Sequence, residues 1–156
     1  MIRIGLSSSA LLTRSVDEVI DFAVEAGFDA IEWAGGAHLP AGDRAAAGNV
    51  LMSTLRAGLS VASFAPLYKI EPGHRSGIDT LIEEASWLQA PVIRVYAGSR
   101  TAGGSCEERE RLVAELRRLG DLSGRHGVTV CLSLGRKTCL DGYGSAGRLV
   151  EEVAHP

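Results

Sequence analysis

The sequence predicts an α/β protein built on a parallel sheet, and three observations carry that prediction. A helix-like stretch ends on a turn residue and a β-rich run follows at once in four places: Gly27–Trp33, Gly58–Phe64, Ala90–Tyr96 and Gly127–Ser133. These runs begin 31, 32 and 37 residues apart, the length of one strand plus the crossover helix that parallel neighbours require. With Ile2–Leu6 at the start, the count is five strands, each followed by room for a helix, which is too few to close an eight-stranded barrel. The third observation is a one-sided polarity. Ile2, Ile4 and Leu6, Ile31 and Trp33, Ile93 and Val95, and Val128, Val130, Leu132 and Leu134 share the faces expected to meet helices. The opposite faces carry Arg3, Gly5 and Ser7; Ala30 and Glu32; Val92, Arg94 and Tyr96; and Thr129, Cys131 and Ser133. A sheet covered by helices on both sides is apolar throughout. The pattern therefore favours a barrel, whose inner face becomes a site towards the strand C-termini, over a doubly wound sheet.

Taken in order, the first helix is the best specified. Ser15-Val-Asp-Glu18 is a capping box, in which hydroxyl and carboxylate each satisfy an otherwise unpaired amide of the first turn. Val16, Val19, Ile20, Ala23 and Val24 then form one stripe, and Gly27 supplies a left-handed stop. The second helix runs from about Ala45 to Ala57, with Gly48 inside it. The third carries Ile78, Leu81, Ile82, Ala85 and Leu88 and halts before Pro91. Ser105-Cys-Glu-Glu108 repeats the capping device before Leu112, Val113, Leu116 and Leu119 of the fourth. The fifth spans about Ala146 to Val153, with Leu149, Val150 and Val153 apolar. No linker or low-complexity segment divides these units, so residues 1–156 read as one domain, incomplete as a barrel.

Composition narrows the function classes. The chain has 156 residues, a net charge of −3, 46% apolar and 22% charged residues, ordinary values for a folded soluble domain. Arg109, Arg111, Arg117 and Arg118 are interleaved with Glu107, Glu108, Glu110 and Glu115, a solvated helix face and not a nucleic-acid footprint. No apolar run approaches the roughly 18 residues needed to cross a bilayer. Ser7-Ser-Ser9 interrupts the N-terminal apolar stretch, which argues against a signal peptide. Cys106, Cys131 and Cys139 fit no zinc spacing and leave one cysteine over in any disulfide scheme, so a reducing cytoplasm is expected.

At the mouth of such a barrel lie Ser7 to Ser9, Glu32 with His38, Tyr68 with Lys69, Arg94 with Tyr96, and Ser133 to Arg136. Glu32 and Arg94 stand out, because a charge on an inward strand face is costly unless paired. They are either a structural ion pair, with Arg3 nearby, or substrate contacts; an arginine fork suits phosphate or carboxylate. His38, in Gly35-Gly-Ala-His-Leu-Pro40, is an acid/base or ligand candidate or simply a loop residue. His126 precedes a helix stop and reads as a cap, and His74 and His155 read as surface residues. The glycine-rich Ala97–Ser105 loop leads into a helix N-terminus and is a weak anion-binding candidate beside its plainer reading as a flexible loop. No complete catalytic set is present.

Ile2-Arg-Ile-Gly-Leu6, Ala26-Gly-Phe-Asp-Ala-Ile-Glu-Trp33, His38-Leu-Pro40, Pro91-Val-Ile-Arg-Val-Tyr-Ala-Gly98 and His126-Gly-Val-Thr-Val130 together resemble the xylose-isomerase-like barrel superfamily, and its sugar phosphate isomerases/epimerases in particular. The likeness continues to Leu149-Val-Glu-Glu-Val-Ala-His-Pro156. It implies a partial TIM-type (β/α) barrel, about five parallel βα units of eight. It also implies ketose–aldose isomerisation or epimerisation of a sugar-like substrate, assisted in the family by a divalent metal (Mn, Co, Zn or Mg). Substrate contacts would come from Glu32, His38, Arg94 and Tyr96. Two departures stand against activity in this chain. The family's fifth strand ends in a Leu-Glu-aromatic-His sequence, but Leu132-Ser-Leu-Gly135 puts Ser133 at the metal-binding glutamate, a poor ligand for a hard dication. The other ligands belong to strands beyond the fifth. No metal residue is assigned, and a non-catalytic truncated barrel that binds a sugar-like ligand or a protein is the alternative. An endonuclease-like role on DNA is disfavoured by the acidic charge.

Two further expectations concern the sheet's margins. The Ile2 and Val128 strands would leave free edges, and Val92, Val61 or Phe64 would lie uncovered on the open side. Both features predict self-association.

Overall fold

Six strands, all parallel, form a single sheet in the computed structural model, which describes residues 2–70, 77–98, 106–135 and 138–155. They are β1 (Gly5–Ser7), β2 (Ala30–Ala34), β3 (Ser60–Ala65), β4 (Lys69–Ile70), β5 (Val92–Ala97) and β6 (Thr129–Ser133). β6 pairs with β5 from Val92 to Tyr96, so β3 (Phe64 opposite Ile93) and β4 (Lys69 opposite Tyr96) must share the other edge. They are two pieces of one strand, interrupted where Pro66 has no N–H to give to a ladder. Spatial order therefore follows chain order through five βα units, as the repeat predicts. The pattern did not contain the extra break.

The helices α1 (Val16–Glu25), α2 (Arg44–Arg56), α3 (Ile78–Trp87), α4 (Cys106–Gly124) and α5 (Tyr143–Val153) each pack on the next in one layer. Between this layer and the sheet lies the core, with Trp33, Phe64, Ile31, Ile82, Ile93 and Leu112 among its fully buried side chains. No helix among the described residues is long and apolar enough to cross a membrane.

Local sequence explains most boundaries. At α1 the Ser15 hydroxyl accepts from the Glu18 amide at 3.2 Å and the Glu18 carboxylate accepts from the Ser15 amide at 2.7 Å, the expected capping box. Gly27 (φ +74°) makes the left-handed stop after it. Asp43 caps α2 by accepting from the Ala46 amide at 2.9 Å. Gly48 sits on an open side of that helix, where it costs only propensity. The cap expected from Ser105, the Gly-rich 99–105 stretch, His74 and Arg136 lie outside the described residues.

Three expectations need correction. Ile2 and Ile4 are exposed and only Leu6 of the first run is buried. The ladder starts at Gly5 opposite Ala30, so the earlier residues precede the sheet, with the Ile4 amide bonded to Asp29 Oδ2 at 2.7 Å. α5 begins at Tyr143, about one turn earlier than its apolar residues suggest. Val61 and Phe64 are not uncovered; both are buried against the helices. The cause is a bulge: Ile31 pairs with Val61 but Glu32 with Ser63, so Ala62 is an extra residue. The bulge lets Val61 and Phe64, three apart, face the same layer.

The last unit is held differently from the others. Between α4, β6 and α5 runs an open groove of about 600 Å³, lined by Leu116, Val130, Leu132, Val150 and Val153 among others. α5 buries Leu149 in the core and is fastened further by polar clasps near its C-terminal end. Arg109 donates to both Glu152 carboxylate oxygens at 2.7 and 3.2 Å, and Arg117 donates to the carbonyls of Val153 and Glu152 at 2.8 and 2.7 Å. His155 lies 3.2 Å from Asp121 and over Gly120, where a Cβ would come within 2.9 Å of the imidazole.

Candidate functional site

The face of the sheet turned from the helices carries a hydrogen-bonded belt that crosses all five strand positions. Parallel register sets Ser7 opposite Glu32 and Glu32 opposite Ser63, and places Arg94 and Ser133 one and two strand positions further on. Glu32 is the centre. Arg94 donates Nε to Glu32 Oε2 and Nη2 to Oε1, both at 2.9 Å, while the Ser7 and Ser63 hydroxyls donate to Oε1 and Oε2 at 2.7 and 2.8 Å. Since Ser7 gives its proton to Glu32, the 2.8 Å contact between Ser7 and Ser9 is a donation from Ser9. At the other end Arg94 Nη1 donates to Ser133 Oγ at 3.1 Å.

The pair is partly open, with the Arg94 side chain 28% and the Glu32 side chain 17% exposed. Burial is the largest single influence on the Glu32 carboxyl and pushes it up. The hydrogen bonds from Arg94, Ser7 and Ser63 together with the Arg94 charge outweigh it and hold the group below the usual carboxylate range. The Glu32 bond in turn holds Arg94 protonated, against the effect of burial and with a smaller contribution from Tyr96. A carboxylate kept ionised by four donors is a poor proton acceptor, since a general base works best with a pKa near the operating pH. Glu32 is therefore built to fix a guanidinium.

One pleat further towards the strand C-termini lies a second row. Tyr96 pairs with Lys69 on one side and Ser133 on the other, so these three side chains share the face of Glu32 and Arg94. The Arg94 guanidinium carbon is 6.0 Å from the centre of the Tyr96 ring, at the limit of a cation–π contact.

Of the residues picked from sequence, Glu32, Arg94 and Tyr96 come together here and His38 stands apart. His38 is on the loop after β2 as expected, but it is buried, edge-on to Trp33 with ring centres 5.6 Å apart. Its Nε2 lies 3.2 Å from the Arg14 carbonyl, which can only accept, so Nε2 carries the proton. Nδ1 is then a buried acceptor without a partner. Tyr68 also leaves the mouth. It packs with the core, and burial, then the charge of Glu115 on α4, push its phenol up against the opposing effect of Arg118. Ser63 was missed because the bulge reverses the parity after Val61; the small polar residues Ser60 and Ser63, spaced three apart in a strand, were the available signal.

The profile of one family, described as xylose isomerase-like TIM barrel, matches residues 20–156. No curated protein matches the sequence. Among solved structures, the chain resembles the probable 3-DHS dehydratase AsbF, involved in petrobactin synthesis, from Bacillus anthracis. The TM-score is 0.84 at 22% identity, over 99% of this chain and 60% of that one. It also resembles the 3-keto-D-glucoside 4-epimerase YcjR from E. coli (0.75, 20% identity, 100% and 66%). A third is the D-allulose 3-epimerase from Methylomonas sp. in complex with D-allulose (0.74, 18% identity, 99% and 60%). The chain thus spans less than two thirds of each of these proteins, and at these identities the likeness is one of fold.

Proposed function

The chain belongs to the xylose isomerase-like TIM barrel family, and from that premise we propose that its inner sheet face binds a sugar-like small molecule as part of an isomerase or epimerase site. The observation that carries this reading is the inner-face belt itself. Five strands each deliver one polar side chain, and Glu32 at their centre fixes a guanidinium. Hydroxyl-rich ligands suit such a surface, because serine hydroxyls can donate or accept as the ligand demands. In this reading Arg94 and Tyr96 contact the ligand, Glu32 orients Arg94, and His38 supports the mouth by tying the loop after β2 to Arg14. The reading includes self-association through the edges at β1 and β6, and a cytoplasmic setting consistent with three cysteines held as thiols.

The family is generally metal-dependent, but the described inner-face residues do not fit a dication. Both oxygens of Glu32 are occupied, a guanidinium stands beside them, and Ser133 offers a neutral hydroxyl already used by Arg94. A hard dication wants several oxygen ligands, with carboxylates among them. Among the described residues no three His, Cys, Asp or Glu side chains gather as a cation site. No chemical step is therefore assigned to a metal. The same fact favours the second reading, a barrel portion that binds a sugar-like ligand or a protein without turning it over, since the described strand residues of the inner face offer no unengaged carboxylate to move a proton.

Saturation-transfer NMR with a panel of aldoses, ketoses and their acidic derivatives tests the proposal. Enhancement of at least one ligand that disappears in Arg94→Gln supports it. No enhancement with any ligand at millimolar concentration refutes it.

A further inference from the structure

Two cations share the C-terminal end of the inner face, and one carboxylate opposes them. Lys69 and Arg94 lie on this face and Glu32 is its only carboxylate among the described strand residues. Glu32 is spent on Arg94, so Lys69 is uncompensated there, and it is exposed. By strand geometry Lys69 sits about 5 Å sideways from Tyr96, and Arg94 about 7 Å back along the same strand. Two side chains as long as these, on one face at that spacing, can close on a single oxyanion. Arg94 also has capacity left: bonds to Glu32 and Ser133 use three N–H groups, Nε, Nη1 and Nη2 contributing one each. A guanidinium has five, and the Tyr96 hydroxyl engages at most one more, so at least one N–H remains for a ligand. Tyr96 and Ser133, flanking in the same row, add hydroxyls.

We propose that Arg94 and Lys69 bind an oxyanion of the ligand, a carboxylate or phosphate group, and that this fixed pair of cations takes the place a dication would hold. The inference rests on the inner face being a small-molecule site and adds the ligand's charge and its independence of metal. The belt explains why the arrangement is stable. Glu32 cancels one of two neighbouring positive charges while the ligand is absent, and it pre-orients the fork so that little rotamer entropy is lost on binding.

Isothermal titration in the presence of a chelator, with an aldonate, a sugar phosphate and the neutral parent sugar, tests it. The expected result is binding of at least one anionic ligand tenfold or more tighter than the neutral sugar, weakened by added salt and unchanged by the chelator. The better of the two acidic arms identifies the oxyanion. Lys69→Met and Ser133→Glu should each lower that affinity tenfold or more, the second by setting a carboxylate beside Arg94; circular dichroism checks that both variants fold. Equal affinity for neutral and acidic sugars overturns the inference while leaving the binding site standing, as does binding that requires a divalent metal. Failure of all three ligands overturns the binding-site reading and the inference with it.

Discussion

β2 and β6 begin from nearly the same sentence in the sequence, a glycine stop followed by alternating residues, yet they are held in different ways. β2 has β1 and β3 as neighbours, and Ala30, Ile31, Trp33 and Ala34 are all buried. Among the described residues β6 pairs only with β5; Thr129 and Cys131 are exposed and Val130 and Leu132 are half-buried beside the open groove. Both strands put one polar side chain into the same belt. What separates them is the number of neighbours, which local pattern does not encode. In a parallel sheet the apolar residues of a strand are covered by the helices on both sides of it, so a strand at the edge keeps its pattern and loses half its cover.

The comparison is most exposed to failure in the core. Trp33→Ala should cost about 3–5 kcal/mol in urea unfolding, a large cavity in a well-packed layer, whereas Leu132→Ala at the half-covered strand should cost about 1 kcal/mol. Equal losses would mean that β6 is as well packed as β2. Next comes the ion pair that ties β2 to β5. Arg94→Ala leaves Glu32 without its partner and should destabilise by about 2–4 kcal/mol, below the value for a fully buried pair because both groups retain some solvent. Replacing Glu32 with Ala in the same chain should recover part of that loss. No recovery would show that the two residues act independently.

Acid titration sharpens the same point. The folded-state pKa of Glu32 lies below its unfolded value, so the unfolded chain takes up the proton first. The contribution of Glu32 to stability is complete above the ordinary carboxylate range, about pH 4–5, and is lost as pH falls through and below that range. Stability of the parent chain should therefore fall more steeply with acid than that of Glu32→Gln. Parallel curves would remove the ion pair from the account. The smallest effect is kinetic. Backbone amides of β6 should exchange hydrogen faster than those of β2, as edge positions open more readily; matched protection would dissolve the contrast between the strands.

Much of this is legible in the sequence. The period of the repeats gives the parallel order, and the polar parity of β2 and β5 gives the inward Glu32 and Arg94, because alternation is a backbone property that survives any environment. The capping box at Ser15 is similarly local. The bulge at Ala62 is not, since it depends on how β3 meets β2, and it hid Ser63 and misplaced Val61 and Phe64. His38 was legible as a loop residue, but its burial against Trp33 is decided by the path of the Ser8–Leu11 turn and the following segment, which packs over it. There the Ser8 hydroxyl accepts from the Ala34 amide at 2.8 Å, in place of a main-chain acceptor.

The fastening of α5 carries a consequence of another kind. Leu149 anchors this helix in the core, while its C-terminal end is tied to α4 by the Arg109–Glu152 pair, the Arg117 bonds to Glu152 and Val153, and the His155–Asp121 contact, all partly in solvent, beside an open groove. Ionic attraction of that kind weakens as counterions accumulate, whereas burial of apolar surface is strengthened by salts excluded from the protein. Ionic strength thus acts on this molecule in two opposite senses, loosening the last helix under conditions that tighten the rest.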